Sequence, residues 1–360
     1  MLNWHLSQKL RKMWWGIQCA ICLLGANGVK GQQEIQFTQY MFDPLAYNPA
    51  YTGSKGWLSV SALYRDQWSG WGRGISQGGN YAGRPLSQTL SIHMPFKDRV
   101  GLGLALMKDQ IGVQQTSTLR LFYAYRVAFV NGTLSLGLSA GAIHWRARWS
   151  ELLYKDPQVL DRSFNQGDPN MWLPEFGAGF YYFNDHFYLG ISVPRLWQYP
   201  LRIEDVSDEE GIVAFARLYP HFYLLTGGAI PIKGNTDVVF KPSLLLKSVS
   251  LFSDFFTSGD QVYRAGAPTS LDIDLALLLR ETLWLGLSWR TAVEAWVGAS
   301  SSMDSADMWF ALQLRNGLRI GGAYDFSLTP IRTYTWGSFE LMVGYDFHYR
   351  IDRTSSPRYF

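Results

Sequence analysis

Apolar and polar side chains alternate along most of this chain, in segments of about ten residues that begin near residue 57. The stretch 134–139 reads Leu-Ser-Leu-Gly-Leu-Ser, and the stretch 271–277 reads Leu-Asp-Ile-Asp-Leu-Ala-Leu. Successive side chains of a β-strand point to opposite faces, so each segment has one apolar and one polar or small face. This pattern predicts membrane strands with apolar residues toward lipid and polar residues toward a lumen.

The connections between these segments alternate between short and long, as they do in outer-membrane barrels. Short turns lie at Lys97-Asp98, Asn131-Gly132, Asn184-Asp185, Gly234-Asn235, Arg280-Glu281 and Asn316-Gly317. Longer connections lie near 70–85, 108–116, 150–171, 197–219, 251–268, 295–306 and 327–335. The fold class that follows is all-β, a transmembrane antiparallel β-barrel of the outer membrane. It has about 14 strands over residues 57–350, and the region 291–314 holds either one strand or a hairpin.

The first 31 residues have the composition of a cleavable export signal. Basic residues at 9–12 precede an apolar stretch over 13–28, which is short for a membrane span. The segment contains four of the 32 basic residues and none of the 29 acidic ones, so the remaining chain has a net charge of about −1 and suggests no nucleic-acid partner. Both cysteines, Cys19 and Cys22, also lie within it, which leaves no thiol or disulfide chemistry to the rest of the chain.

Residues 32–56 form a polar and aromatic segment before the first strand, and a short tail follows the barrel at 351–360. Proline and glycine exclude a long regular element there. We expect a periplasmic segment or a plug in the barrel mouth. Its candidate functional residues are Tyr47, Asn48, Pro49, Tyr51 and Gly53. Two rings beside a rigid proline would suit docking of a periplasmic partner or simple sealing of the barrel base, and both interpretations stay open.

Charged residues on the polar faces of the strands are candidates for a lumen network. Asp272 and Asp274 share one inward face, and the inward arginines that could pair with them are Arg65, Arg120, Arg126, Arg290 and Arg319. Paired carboxylates can also bind a cation or transfer protons. A structural network is the favoured interpretation, because barrel lumens are generally polar. No HExxH or calcium-loop motif appears, and the Cys19-Ala-Ile-Cys22 string lies within the export signal, so we expect neither an enzyme nor a metal or other cofactor.

The stretch Gln36–Gly53, which ends in Tyr-Asn-Pro-Ala-Tyr-Thr-Gly, and the later string Tyr-Arg-Asp-Gln-Trp at 64–68 resemble the PorP/SprF family. That family belongs to the type IX secretion and gliding system of Bacteroidetes. The resemblance implies an outer-membrane barrel that works beside the type IX translocon. Implied partners are the periplasmic ring, a peptidoglycan-binding lipoprotein, and a secreted surface protein or adhesin with a type B C-terminal domain, with outer-membrane lipid around the wall.

The resemblance implies no catalytic residue. The expected function is to help export the partner protein or hold it at the cell surface. The alternative is an outer-membrane porin or transporter for small solutes, which the alternation of faces fits equally well.

The export signal gives a first testable prediction. We expect cleavage near Gly31, because small residues follow the apolar stretch there. N-terminal sequencing of protein purified from the outer-membrane fraction should begin within a few residues of Gln32. Recovery of a chain that begins at Met1 would contradict the prediction.

Overall fold

A computed structural model of the protein describes residues 35–71, 83–151, 167–197, 199–201, 216–232, 235–249, 269–293 and 303–347. The predicted export signal and the tail 351–360 lie outside these residues. Fourteen strands form one barrel. They are β1 (Leu58–Asp66), β2 (Leu86–Lys97), β3 (Val100–Ile111), β4 (Gln114–Phe129), β5 (Gly132–Ala147), β6 (Asn170–Phe183), β7 (Phe187–Val193), β8 (His221–Gly228), β9 (Asn235–Val249), β10 (Ser270–Leu279), β11 (Leu283–Ala292), β12 (Met303–Gln313), β13 (Leu318–Ser327) and β14 (Ser338–Phe347).

Each strand pairs antiparallel with the next, and β14 returns to pair with β1, so the sheet closes. In that seam Leu58 is opposite Phe347, and Asp66 is opposite Phe339. A short run at Ile230–Ile232 continues β8 along β9 and adds no wall strand. No helix in the described part of the chain is long and apolar enough to cross a bilayer. The predicted antiparallel barrel and its strand number are confirmed.

Five of the six predicted short turns lie at strand ends on one rim of the barrel, and the sixth, Gly234-Asn235, falls partly outside the described residues. Outer-membrane barrels place their short turns toward the periplasm, so we call this the periplasmic rim and the opposite one the outer rim. Because the strand number is even, β1 begins and β14 ends at the periplasmic rim.

Two connections differ from the sequence prediction. The predicted long loop at 108–116 is a two-residue turn, since β3 ends at Ile111 and β4 begins at Gln114. Its polar residues suggested a loop, but they continue both strands, and Gly112 supplies the positive φ of +60° that the turn needs.

In the region 291–314 the described residues form the end of β11 and one strand, β12. The connection between β7 and β8 also contains a short pair of strands, Tyr199–Leu201 and Ala216–Leu218, that the pattern did not predict.

The two faces of the wall have the predicted polarity. Leu138 is 60% exposed and Leu287 is 63% exposed on the outside, whereas inward Ser135 and Asp274 are fully buried. A belt of exposed leucines and aromatics of this extent needs an apolar solvent around it. The barrel therefore lies in the membrane with its leucines toward lipid.

The facing of β5 gives a second prediction. Replacing Leu138 with Arg should destabilise the folded barrel by about 2–4 kcal/mol, because a charge there meets the hydrocarbon core. The control is Phe129→Arg, at an exposed position beside the periplasmic turn, which should cost only about 0–1 kcal/mol. Urea unfolding of both variants in lipid vesicles measures the difference, and equal costs would contradict the assigned depth.

Candidate functional site

The lumen is occupied by the chain's own N-terminal residues. We call residues 35–56 the lumen segment. It forms three short 3-10 turns, Tyr40–Phe42, Pro44–Ala46 and Pro49–Tyr51, and two of them begin with proline, whose fixed φ suits a first helical position. Leu45 and Ala50 are 0% exposed. The segment is therefore packed inside the barrel and does not lie below it.

The outer end of the lumen segment is anchored on one carboxylate. The backbone N–H groups of Thr38 and Gln39 each donate to an oxygen of Glu340, both at 2.8 Å. The Arg65 guanidinium donates to the same carboxylate at 3.2 Å and forms an ion pair with Asp325. Glu340 and Asp325 lie close to the outer rim on β14 and β13. The segment thus begins in the outer half of the lumen and descends toward the periplasmic rim.

A second charged cluster, on β9 to β11, holds the same end. Asp272 accepts from Arg290 at 2.9 Å and from Lys247 at 2.8 Å. Arg290 also donates to the carbonyl oxygen of Phe37 at 3.5 Å. Three neighbouring strands, β9 to β11, therefore bind one peptide group of the segment through a single ion-pair cluster.

The middle of the segment meets an arginine fork on β4. Arg120 donates through two nitrogens to the two oxygens of Glu175, each at 2.7 Å. Its remaining nitrogen donates to the carbonyl oxygen of Ala46 at 3.2 Å. Arg195 lies 3.4 Å from the same glutamate. A bidentate pair of this kind is rigid, so the third donor is held in position for the segment.

The turn at Asn48 and Pro49 lies directly on the wall. The Asn48 side chain donates to the carbonyl oxygen of Phe180 at 2.9 Å and accepts from the backbone N–H of Ala50 at 2.9 Å. The wall opposite consists of glycine. A Cβ added to Gly137 would lie 2.1 Å from the nitrogen of Ala50, and one added to Gly179 would lie 2.2 Å from Asn48 Oδ1. Only glycine permits this approach of two backbones.

The periplasmic end of the segment is held by polar groups of β2, β4 and β14. Gly53, in the left-handed region at φ +73°, donates to His93 Nδ1 at 3.1 Å and accepts from Arg126 at 2.6 Å. Lys55 lies 3.2 Å from Asp346, which also lies 3.4 Å from Arg319. The segment therefore leaves the lumen beside a further cluster of charged residues, directly before β1.

The two candidate tyrosines are buried among other rings. Tyr47 is 3% exposed and meets Tyr223 edge to face at 5.4 Å, while Tyr51 is 4% exposed and meets Tyr181 at 5.5 Å. The Tyr47 hydroxyl accepts from the backbone N–H of Phe37 at 3.2 Å. Both rings thus contact the wall and the segment itself.

Burial shifts the pKa of the acidic residue Asp43 and of the basic residue Lys55 in the segment. Burial raises the pKa of Asp43 to about 6, although its carboxylate accepts from Ser91 at 2.7 Å and Thr89 at 3.3 Å. Burial lowers the pKa of Lys55 to about 8, partly opposed by Asp346. Both shifts disfavour the charged form, as expected for groups withdrawn from water.

The predicted lumen residues surround the lumen segment, but they do not form one ion-pair network with each other. Arg290 alone of the five arginines contacts the aspartate pair, and Asp274 accepts instead from the Ser288 hydroxyl. The other arginines lie too far around the circumference. Their partners are residues that the sequence interpretation did not select, namely Glu175, Asp325, Glu340, Asp346 and the carbonyl oxygen of Gly53. These acidic partners stand at the alternate positions of β6, β13 and β14 that face the lumen. That alternation was the indication of them available in the sequence.

The chemistry of this arrangement is recognition of peptide. Carboxylates and guanidinium groups of several strands bind backbone N–H and C=O groups of the lumen segment at once. Among the residues that the structure describes, no three His, Cys, Asp or Glu side chains are grouped as metal ligands.

The closed wall with its outer apolar belt defines an outer-membrane β-barrel protein. The sequence profile described as "Type IX secretion system membrane protein PorP/SprF" matches residues 29–345. The chain belongs to the PorP/SprF family. No curated protein matches it in sequence.

Several solved outer-membrane proteins are similar in fold. The Ralstonia pickettii toluene transporter TbuX has a TM-score of 0.47 at 9% identity, with 87% of this chain and 94% of that chain covered. A Pseudomonas aeruginosa FadL homologue has 0.43 at 13% identity, covering 88% and 96%. Omp33 of Acinetobacter baumannii has 0.43 at 8% identity, covering 81% and 98%.

The anchoring carboxylate gives a third prediction. Glu340→Gln should destabilise the protein by about 3–5 kcal/mol, because it leaves the Arg65 charge buried with one partner fewer and turns an amide N–H toward the backbone donors of the segment. The matched control is Glu281→Gln at an exposed turn, where the same change should cost less than about 0.5 kcal/mol. Denaturant midpoints of the refolded barrels measure both, and similar midpoints would contradict the anchoring role.

Proposed function

We propose that this barrel serves type IX secretion as a protein-binding component whose lumen is closed by its own N-terminal segment. It would help to export a secreted surface protein or adhesin, or hold it at the outer membrane. The observation that carries the proposal is the lumen segment, which contacts the wall through ion pairs and hydrogen bonds from the outer half to the periplasmic rim.

A solute pore needs a continuous aqueous path, whereas here the inward charges bind peptide. Glu340, Arg120 and Arg126 all contact backbone groups of the segment. Each of these contacts takes the place of a contact with lumen water, so the packed segment occupies the path that a solute would need. The contacts therefore favour a closed lumen over an open pore.

The burial of Tyr47 and Tyr51 supports the sealing interpretation of the segment over the docking one. A periplasmic partner would reach these rings only if the segment left the barrel. We propose that the translocon components, the periplasmic ring and the peptidoglycan-binding lipoprotein, bind the periplasmic rim. The secreted partner would then contact the long connections at the outer rim.

A liposome swelling assay tests closure, our fourth prediction. The wild-type barrel should admit small sugars far more slowly than an open porin. Gly137→Val should increase uptake, because its side chain would collide with Ala50 and displace the segment. The control is Ala140→Val, on the exposed outer face of the same strand. Porin-like uptake by the wild type would favour the solute-transporter alternative.

The partner is tested separately, by pull-down from native outer membranes with mass spectrometry. Co-purification of translocon proteins together with a surface protein is the expected result. A preparation that contains the barrel alone, with open conductance, would contradict the proposed role.

A further inference from the structure

The outer surface of the barrel carries a second feature, on the opposite side of the wall from the lumen segment. A groove of about 660 Å³ crosses the outer faces of strands β1 to β6 and reaches Leu341 and Val343 on β14. Register places two rows of outward side chains along it, one above the other. The lower, apolar row consists of Ala62, Leu90, Leu106, Leu119 and Ala142.

The upper row, two residues closer to the outer rim on every strand, is polar. It runs from Tyr64 through Gln88, Lys108, Ser117 and His144 to Trp172. Tyrosine and tryptophan at its two ends are typical of the membrane interface. The change from leucine to lysine and histidine within one register step marks the level at which hydrocarbon ends and headgroups begin.

The groove crosses this boundary. The floor is lowest at the methyl groups of Ala62 and Ala142, which lie at the two ends of the row of leucines. The space at Ala142, beside Leu119 and below His144, is the slot that would take an acyl chain. Lys108 lies at the polar edge and is exposed, and Arg146 lies one row higher. The Arg146 guanidinium donates to Gln115 at 2.6 Å, which holds it along the wall.

Charge in this region favours an anion. The carboxylate in the row of Arg146 is Asp66, which is paired with Arg84 at 3.1 Å. Lys108 and Arg146 therefore remain as net positive charge above an apolar slot. The outer faces near the outer rim of β13 and β14 differ, because they present Phe326, Phe339 and Leu341 instead.

We infer that this groove binds a phosphorylated glycolipid of the outer leaflet, with an acyl chain in the slot and a phosphate between Lys108 and Arg146. His144 and Gln88 would bind the sugar hydroxyls. His144 is held by Asn170 at 2.6 Å and is stacked on Trp172 at 4.5 Å. The inference is independent of the lumen segment and of the proposed role in secretion.

The experiment is native mass spectrometry of the folded mature barrel in detergent, titrated with lipid A that carries its phosphates and with dephosphorylated lipid A. The test variant is Lys108→Ala/Arg146→Ala. The charge-matched control is Lys97→Ala/Arg99→Ala, which removes two exposed cations at the periplasmic rim. A third variant, Ala142→Phe, fills the slot without changing charge. Heat-modifiable migration verifies folding of each.

Phosphorylated lipid A should bind the test variant about 30-fold more weakly than the wild type, as expected for two cations facing an anionic lipid. The control should keep wild-type affinity, and Ala142→Phe should weaken both lipids. Equal affinity in test variant and wild type would overturn the inference, as would equal loss in the control or full affinity in Ala142→Phe. Displacement of the lipid by inorganic phosphate alone would assign the site to a free anion and also overturn it.

Discussion

The constraint on which this structure depends is the high cost of leaving a charge or a backbone polar group without a partner inside a lipid-bounded wall. Closure of the strands satisfies the backbone, because no edge remains. The inward charges require more, since an isolated buried charge costs several kcal/mol. Here the partners of Glu340, Arg290 and Arg120 are other strands and, in each case, a peptide group of the lumen segment. Wall and segment therefore stabilise each other.

The same constraint explains the distribution of glycine on the wall. A segment that follows the lumen must approach the backbone of the strands, and it does so at the turn that Asn48 and Pro49 form. The wall there is made of Gly137 and Gly179, where any side chain would occupy the position of the segment. Strand glycines usually weaken a sheet, but here the approach of a second backbone compensates for that loss.

The wall could be predicted from the sequence because alternation is a local property. The alternation around Leu138 and Ser139 predicts which side chain faces lipid and which faces the lumen, without reference to any other strand. In the same way Asn131-Gly132 predicts a hairpin turn from two residues alone. The site could not be predicted to the same depth, because its contacts join distant positions. Thr38 and Glu340 are about 300 residues apart, and neither parity nor composition states which carboxylate meets which peptide. The prediction of a loop at 108–116 was wrong for a related reason. Where a strand extends beyond the hydrocarbon layer its outward residues are polar, and the sequence alone does not distinguish such residues from those of a loop.

The inner and outer faces of the wall thus contact different surroundings, and on each face the side chains match what they contact. Inside, arginine and glutamate are arranged to replace water around a peptide. Outside, the step from Leu106 to Lys108 follows the boundary between hydrocarbon and headgroup. Strands β3 to β5 extend beyond that boundary, so their polar outward residues remain part of the sheet. In the proposed role, a barrel closed by its own chain would pass no solute through its centre, and its interactions with other molecules would take place at its two rims and on its outer face.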